Sequence, residues 1–138
     1  MKQIVYVSKA TDAFDVADLA PLAETSRSNN SAVGVTGCML YAAGYFLQLL
    51  EGDSGEVAKV MRRISMDPRH KATKVLLDRD VDESERLYGR WFMSSINVDE
   101  KKQFPQALKD NIDKICRGQG SSMPIPKLFL EFRSHLGT

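Results

Sequence analysis

Tyr45-Phe46-Leu47-Gln48-Leu49-Leu50 follows Ala42-Ala43-Gly44, which in turn follows the run from Val33 to Tyr41. The two runs read as strands, and the residues between them as a short hairpin loop containing the glycine such turns favour. A helix signal comes next. Asp53 and Glu56 are spaced as a capping box, in which each side chain satisfies a backbone N–H at the helix start. Val57, Val60, Met61 and Ile64 then recur at i, i+3, i+4 and i+7, an amphipathic stripe. Asp67-Pro68 ends the helix, because the residue before a proline is driven out of the helical region.

Upstream, Ile4 to Ser8 reads as a strand with Ile4, Tyr6 and Ser8 on one face and Val5 and Val7 on the other. Asp18 is placed to cap a helix running toward Asn29. Pro21 falls in its first turn, where the missing N–H costs nothing, and Leu19, Leu22, Ala23 and Ser26 share a face. Downstream, Ala72 to Leu77 reads as a fourth strand extending toward Val81, and Phe92 to Val98 as a fifth. The order is the α+β, ferredoxin-like β-α-β-β-α-β pattern with an added fifth strand, and its two helices should cover one sheet face. The composition changes after Asp99. Phe104, Leu108, Ile112 and Ile115 make one helical stripe, residues 118–122 (Gly-Gln-Gly-Ser-Ser) break it, and Leu128, Phe129, Phe132 and Leu136 make another. The chain therefore divides into residues 1–98 and a C-terminal helical hairpin, 99–138, expected to pack on the uncovered sheet face.

The 138 residues suit one compact domain with a short appendage, and 43% hydrophobic content is enough for a core without a metal or disulfide staple. A net charge of +1 offers no electrostatic reason to expect nucleic acid. Two cysteines, Cys38 and Cys116, and two distant histidines, His70 and His135, lack the spacing of a metal site. No signal peptide and no apolar run long enough to span a membrane is visible, so the expected compartment is the cytoplasm.

Ferredoxin-like domains host many functions, so function must be argued from polar residues that the pattern places on buried faces. Gln48 shares a face with Phe46 and Leu50. On an edge strand it would point at solvent; in a core its amide must find partners, and a bound heterocycle would supply them. Tyr6 shares a face with Ile4, and strands one and three are neighbours in this topology, which brings Tyr6 within reach of Gln48. Asn30, at the end of the first helix, reads either as a left-handed cap or as a donor and acceptor for an imide edge. Asp67-Pro68-Arg69-His70 reads either as a solvated turn or as a ligand contact through Arg69, with His70 lining the pocket.

Together these stretches resemble the BLUF family of blue-light sensors that use flavin. Ile4-Val5-Tyr6-Val7-Ser8 resembles the family's opening strand, and residues 26–30 (Ser-Arg-Ser-Asn-Asn) with Gly34-Val35-Thr36-Gly37 are similar to its SRxxN…GITG stretch. Phe46 to Gly52 resembles its FxQxLEG signature, Asp67 to His70 its DxRH turn, and Trp91-Phe92-Met93 its W-x-M. The five stretches occur in the family's order over residues 2 to 98. Val35 replaces the usual isoleucine, and Tyr88 stands in the place of the phenylalanine of R-x-F.

The resemblance implies a photoreceptor and no enzyme. FAD is the implied cofactor, with FMN acceptable, held by Asn30, Asp67, Arg69, His70, Ile64 and Gln48. It further implies that excitation drives electron and proton transfer from Tyr6 through Gln48. The amide is left rearranged by rotation, tautomerisation or both. The signal then passes to the fifth strand through Trp91 or Met93, and on to the C-terminal helices and a protein partner. Self-association is implied as well, and neither nucleic acid nor membrane. The alternative is a light-insensitive flavin-binding or regulatory ligand-binding module. An acyl-phosphate hydrolase would need a glycine-rich anion loop, and a nicotinamide enzyme a G-x-G-x-x-G after a strand; the sequence has neither.

Overall fold

The computed structural model describes residues 1–95 apart from Ala13 and Ala43. Its elements are β1 (Lys2–Ala10), α1 (Leu19–Ala32), β2 (Thr36–Ala42), β3 (Tyr45–Gly52), α2 (Ser54–Met66), β4 (His70–Asp80) and β5 (Trp91–Ser95), with short 3₁₀ turns at Val16–Asp18 and Glu83–Glu85. The sheet order is β4-β1-β3-β2-β5. The first four strands are antiparallel and β5 joins the edge parallel to β2. This is the expected ferredoxin-like α+β fold with an added strand. The expected hairpin at 99–138 lies outside the described residues.

Alternation decides what each face carries. Ile4 and Tyr6 of β1, Met39 and Tyr41 of β2, Phe46 and Leu50 of β3, and Trp91 pack with Leu22 of α1 and with Val57 and Val60 of α2. Val5, Val7, Leu40, Leu47 and Leu49 point to the opposite face. Each is at most 3% exposed, although both described helices lie on the first face.

Several local expectations are corrected. Asp18 does not cap α1 through its side chain. That carboxylate accepts from the Asp15 N–H at 2.9 Å, because a 3₁₀ turn precedes the helix and holds Asp18 in a helical conformation. The helix also continues past Asn29 to Ala32, so Asn30 is no left-handed cap; the positive φ falls on Gly34, at 70°. Asp53 does cap α2, accepting from the N–H groups of Gly55 and Glu56. Glu56, however, turns to Lys59, 3.6 Å away, rather than back to the cap. β2 begins later than expected, at Thr36, and β4 earlier, at His70. The early part of β4 carries a register shift against β1, with Ala72 at φ 52°.

Candidate functional site

The β1–β3 register puts Tyr6 directly opposite Gln48. Both are on the helix side of the sheet and buried. Gln48 Nε2 donates to the Tyr6 hydroxyl at 2.5 Å, and Trp91 Nε1 donates to Gln48 Oε1 at 2.9 Å. An indole N–H can only donate, so it requires the amide oxygen on its side and leaves the NH₂ for the phenol. Tyr6, Gln48 and Trp91 thus form one hydrogen-bonded row across β1, β3 and β5. Met93 stands opposite Met39 in the β2–β5 ladder. Burial pushes the Tyr6 phenol well above its usual pKa, with the bond from Gln48 opposing, so the hydroxyl keeps its proton at neutral pH.

Tyr6, Gln48 and Met39 floor a cleft of about 220 Å³. One wall is a single face of α1: Leu22, Thr25, Ser26, Asn29 and Asn30. Val60, Arg63 and Ile64 of α2 form the other, and Asp67, Arg69 and His70 close the end. The α1 wall is mostly polar, so the helix gains little from apolar packing on this side. Asn30 is only 4% exposed, and its amide has no hydrogen-bond partner among the described residues. An amide that lines a cleft and has no hydrogen-bond partner among the described residues fits a planar ligand that offers both a donor and an acceptor. The cleft residues therefore fit the isoalloxazine ring of a flavin. Arg63, Asn29 and Thr25 were not singled out in the sequence; Thr25 and Asn29 fall at i+3 and i+7 from Leu22, the spacing that puts them on its face.

At the closed end, Arg69 Nη2 and Nε grip the Asp67 carboxylate at 2.6 to 3.1 Å, and the Arg69 N–H adds a bond to Asp67 Oδ1 at 2.9 Å. Arg69 holds the Asp67 carboxyl below the usual carboxylate range, and Asp67 raises Arg69. His70 Nδ1 lies 2.7 Å from the Ser8 hydroxyl, and its ring packs against Phe46, 4.5 Å between centroids. Burial lowers the His70 pKa, so the ring is neutral at neutral pH. An unfolded histidine titrates near 6.5, roughly, so below that pH the unfolded chain takes up a proton that the folded one refuses, and stability falls with pH. Urea midpoints should therefore drop between about pH 7 and about pH 5.5 in the wild type and less in His70→Gln. Equal drops would assign the acid sensitivity to other groups.

Among the described residues, no three His, Cys, Asp or Glu side chains gather as metal ligands, and no helix is long and apolar enough to cross a membrane.

Residues 1–94 match the family described as BLUF, sensors of blue light using FAD. The chain is 29% identical over 88% of its length to the photoactivated adenylate cyclase subunit alpha of Euglena gracilis, and spans 12% of that relative. A bacterial light-regulated adenylyl cyclase matches with a TM-score of 0.69 at 28% identity, over 96% of this chain and 39% of that one. BlrB, a BLUF protein in its dark state, matches at 0.67 and 25% identity, over 97% of this chain and 92% of its own. With the fold, the cleft and the Tyr6–Gln48–Trp91 row, these matches make the chain a member of the BLUF family, whose cofactor is FAD.

Proposed function

We propose that this chain is a blue-light photoreceptor that signals through Tyr6, Gln48 and β5. The observation that carries the proposal is the buried row from Tyr6 through Gln48 to Trp91 along the floor of the cleft. Asn30 would hold the ring's imide edge, with Asp67, Arg69, His70 and Ile64 around it. FMN should also be accepted, since these contacts are to the ring. A bound flavin excited by blue light supplies a strong oxidant.

Tyr6 is the electron donor. A neutral phenol becomes a strong acid when oxidised, so its proton must leave with the electron, and Gln48 is the group in hydrogen-bond reach. To take that proton on oxygen, the amide must turn its Oε1 to Tyr6. Its NH₂ then faces the Trp91 N–H, donor against donor. A turned amide therefore loses the indole, and β5 feels the loss. When the electron and a proton return to Tyr6, the amide is left changed by rotation or tautomerisation, which links a proton event at Tyr6 to movement of a sheet edge. Met93 is the other candidate relay.

The output passes from β5 to the C-terminal segment and a protein partner. A hairpin from residues 99–138 on the second sheet face is supported by the burial of Val5, Leu40 and Leu47 there, where no described helix lies. In the relatives named as adenylate cyclases the sensor is a small part of a longer chain, which supports a protein effector here. Self-association is part of the same proposal.

The deciding test is an absorption spectrum in the dark and under blue light. A flavin band that moves to the red without bleaching and relaxes in darkness supports the photoreceptor. Bleaching, or no response, overturns it. Asn30→Ala should weaken flavin binding by about 1–3 kcal/mol, roughly 5- to 150-fold in Kd, by leaving the imide edge unpaired. An unchanged Kd by flavin fluorescence titration would remove Asn30 from the site.

A further inference from the structure

Glu51 lies on the same strand as Gln48 but points to the opposite face, away from the cleft, and is fully buried. Its Oε1 accepts from the Leu87 and Tyr88 N–H groups, both at 3.0 Å. Its Oε2 accepts from the Leu87 N–H at 3.0 Å and from Gln3 Nε2 at 2.9 Å. Gln3 Oε1 accepts in turn from Arg79 Nε at 2.7 Å, which ties the group back to β4. Beside it, Arg86 donates to the Thr36 hydroxyl and, at 3.5 Å, to the Glu51 carbonyl.

Leu87 and Tyr88 lead into β5, and Tyr88 is three residues before Trp91. Glu51 is three residues after Gln48. The two strands are not neighbours, because β2 lies between them. Each of the two residues on β3 thus reaches past β2 to hold the chain of β5, one at its entrance and one at its first side chain. An edge strand paired on one side only is the weakest-held part of a sheet. A carboxylate that gathers two successive backbone N–H groups fixes the height and register at which that strand begins.

We propose that Glu51 is a positioning residue. It fixes the segment entering β5 and so keeps the Trp91 indole on the Gln48 amide oxygen. The consequence for light signalling rests on the photoreceptor proposal; the positioning does not.

Trp91 is the only tryptophan in the chain, so a ¹H–¹⁵N spectrum in the dark contains a single indole signal that reports this bond. In the wild type, with flavin bound, the Leu87 and Tyr88 amides should exchange slowly. In Glu51→Gln, an NH₂ replaces one oxygen among donors. Those amides should exchange faster by about tenfold or more, and the indole signal should move toward that of a free indole while the flavin stays bound. Fast exchange of both amides in the wild type, or an unmoved indole signal in folded Glu51→Gln, overturns the proposal. Should Glu51→Gln fail to fold, Gln3→Met removes one of the four bonds and leaves the carboxylate in place. A smaller indole shift in the same direction supports the role, and none overturns it. These readings are made in darkness, so they fail separately from the photoreceptor proposal, which is decided by the absorption spectrum under blue light.

Discussion

Tyr6→Phe abolishes the light-induced absorption shift and leaves the flavin bound. The substitution removes one oxygen atom and keeps the ring, which is fully buried and sets edge-on to His70 at 6.5 Å between centroids. The packing between β1 and the helices therefore survives. The Gln48 NH₂ loses its acceptor, at a cost of about 1–3 kcal/mol, which a domain of ordinary stability tolerates. Chemically the loss is complete, because a phenyl ring has no proton to release and is far harder to oxidise. A photocycle slowed a few-fold would already contradict a sole donor. A red shift of wild-type size and lifetime in Tyr6→Phe would remove Tyr6 from the chemistry. Loss of flavin from the variant would instead assign the hydroxyl a binding role.

That pairing was legible in the sequence for a simple reason. Strand alternation places Tyr6 with Ile4 and Gln48 with Phe46 and Leu50, and the ferredoxin-like order makes β1 and β3 neighbours. Two periodic constraints and one topology are enough to bring the side chains together. Trp91 and Met93 are different. They sit two apart on one strand, so alternation puts them on the same face and leaves open which of them approaches Gln48. The geometry depends on the β2–β5 register, in which Gly37 stands opposite Trp91, and a parallel register carries no local sequence signal.

Asn30 was placed at a helix end because Asn29-Asn30 resembles a terminus; the helix runs on to Ala32 and is closed by Val33 and Gly34. Glu51 was visible only as a letter of a signature. Besides Gln3, its partners are backbone groups of Leu87 and Tyr88, 36 and 37 residues away, and backbone donors leave no trace in side-chain patterns. Arg63 was passed over because a cation on the polar flank of an amphipathic stripe looks like any solvated residue. Only the position of α1 makes it part of a wall.

Gly37→Ala carries the largest stability effect expected of any single methyl group in the described residues. Gly37 has φ 145°, a conformation that side chains rarely adopt, and a Cβ there would stand 1.9 Å from the Leu49 carbonyl oxygen and 2.9 Å from its carbon. Those atoms are backbone of the central hairpin, so they cannot swing aside. The β2–β3 ladder must open, and with it the Gly37 N–H bond to the Arg90 carbonyl, 3.1 Å, that holds β5 on the other side. Strain and lost pairing together should cost about 3 kcal/mol or more, enough to lower Tm by roughly 10 °C or more.

Gly34 is the control. Its φ is 70°, but nothing lies within 4 Å of a Cβ built there, so Gly34→Ala meets only the left-handed penalty of about 1–2 kcal/mol. Denaturant midpoints of the two variants, with flavin in excess, separate steric exclusion from backbone conformation. Equal losses would mean that the sheet relaxes around the new methyl at no further cost. A Gly37→Ala protein that still folds should also show a displaced Trp91 indole signal, because the residue that must move is the one paired with Trp91. The same small residue thus serves the β2–β3 packing and the Trp91 contact at once: it lets β2 lie close enough to β3 for the Trp91 indole to reach across to Gln48.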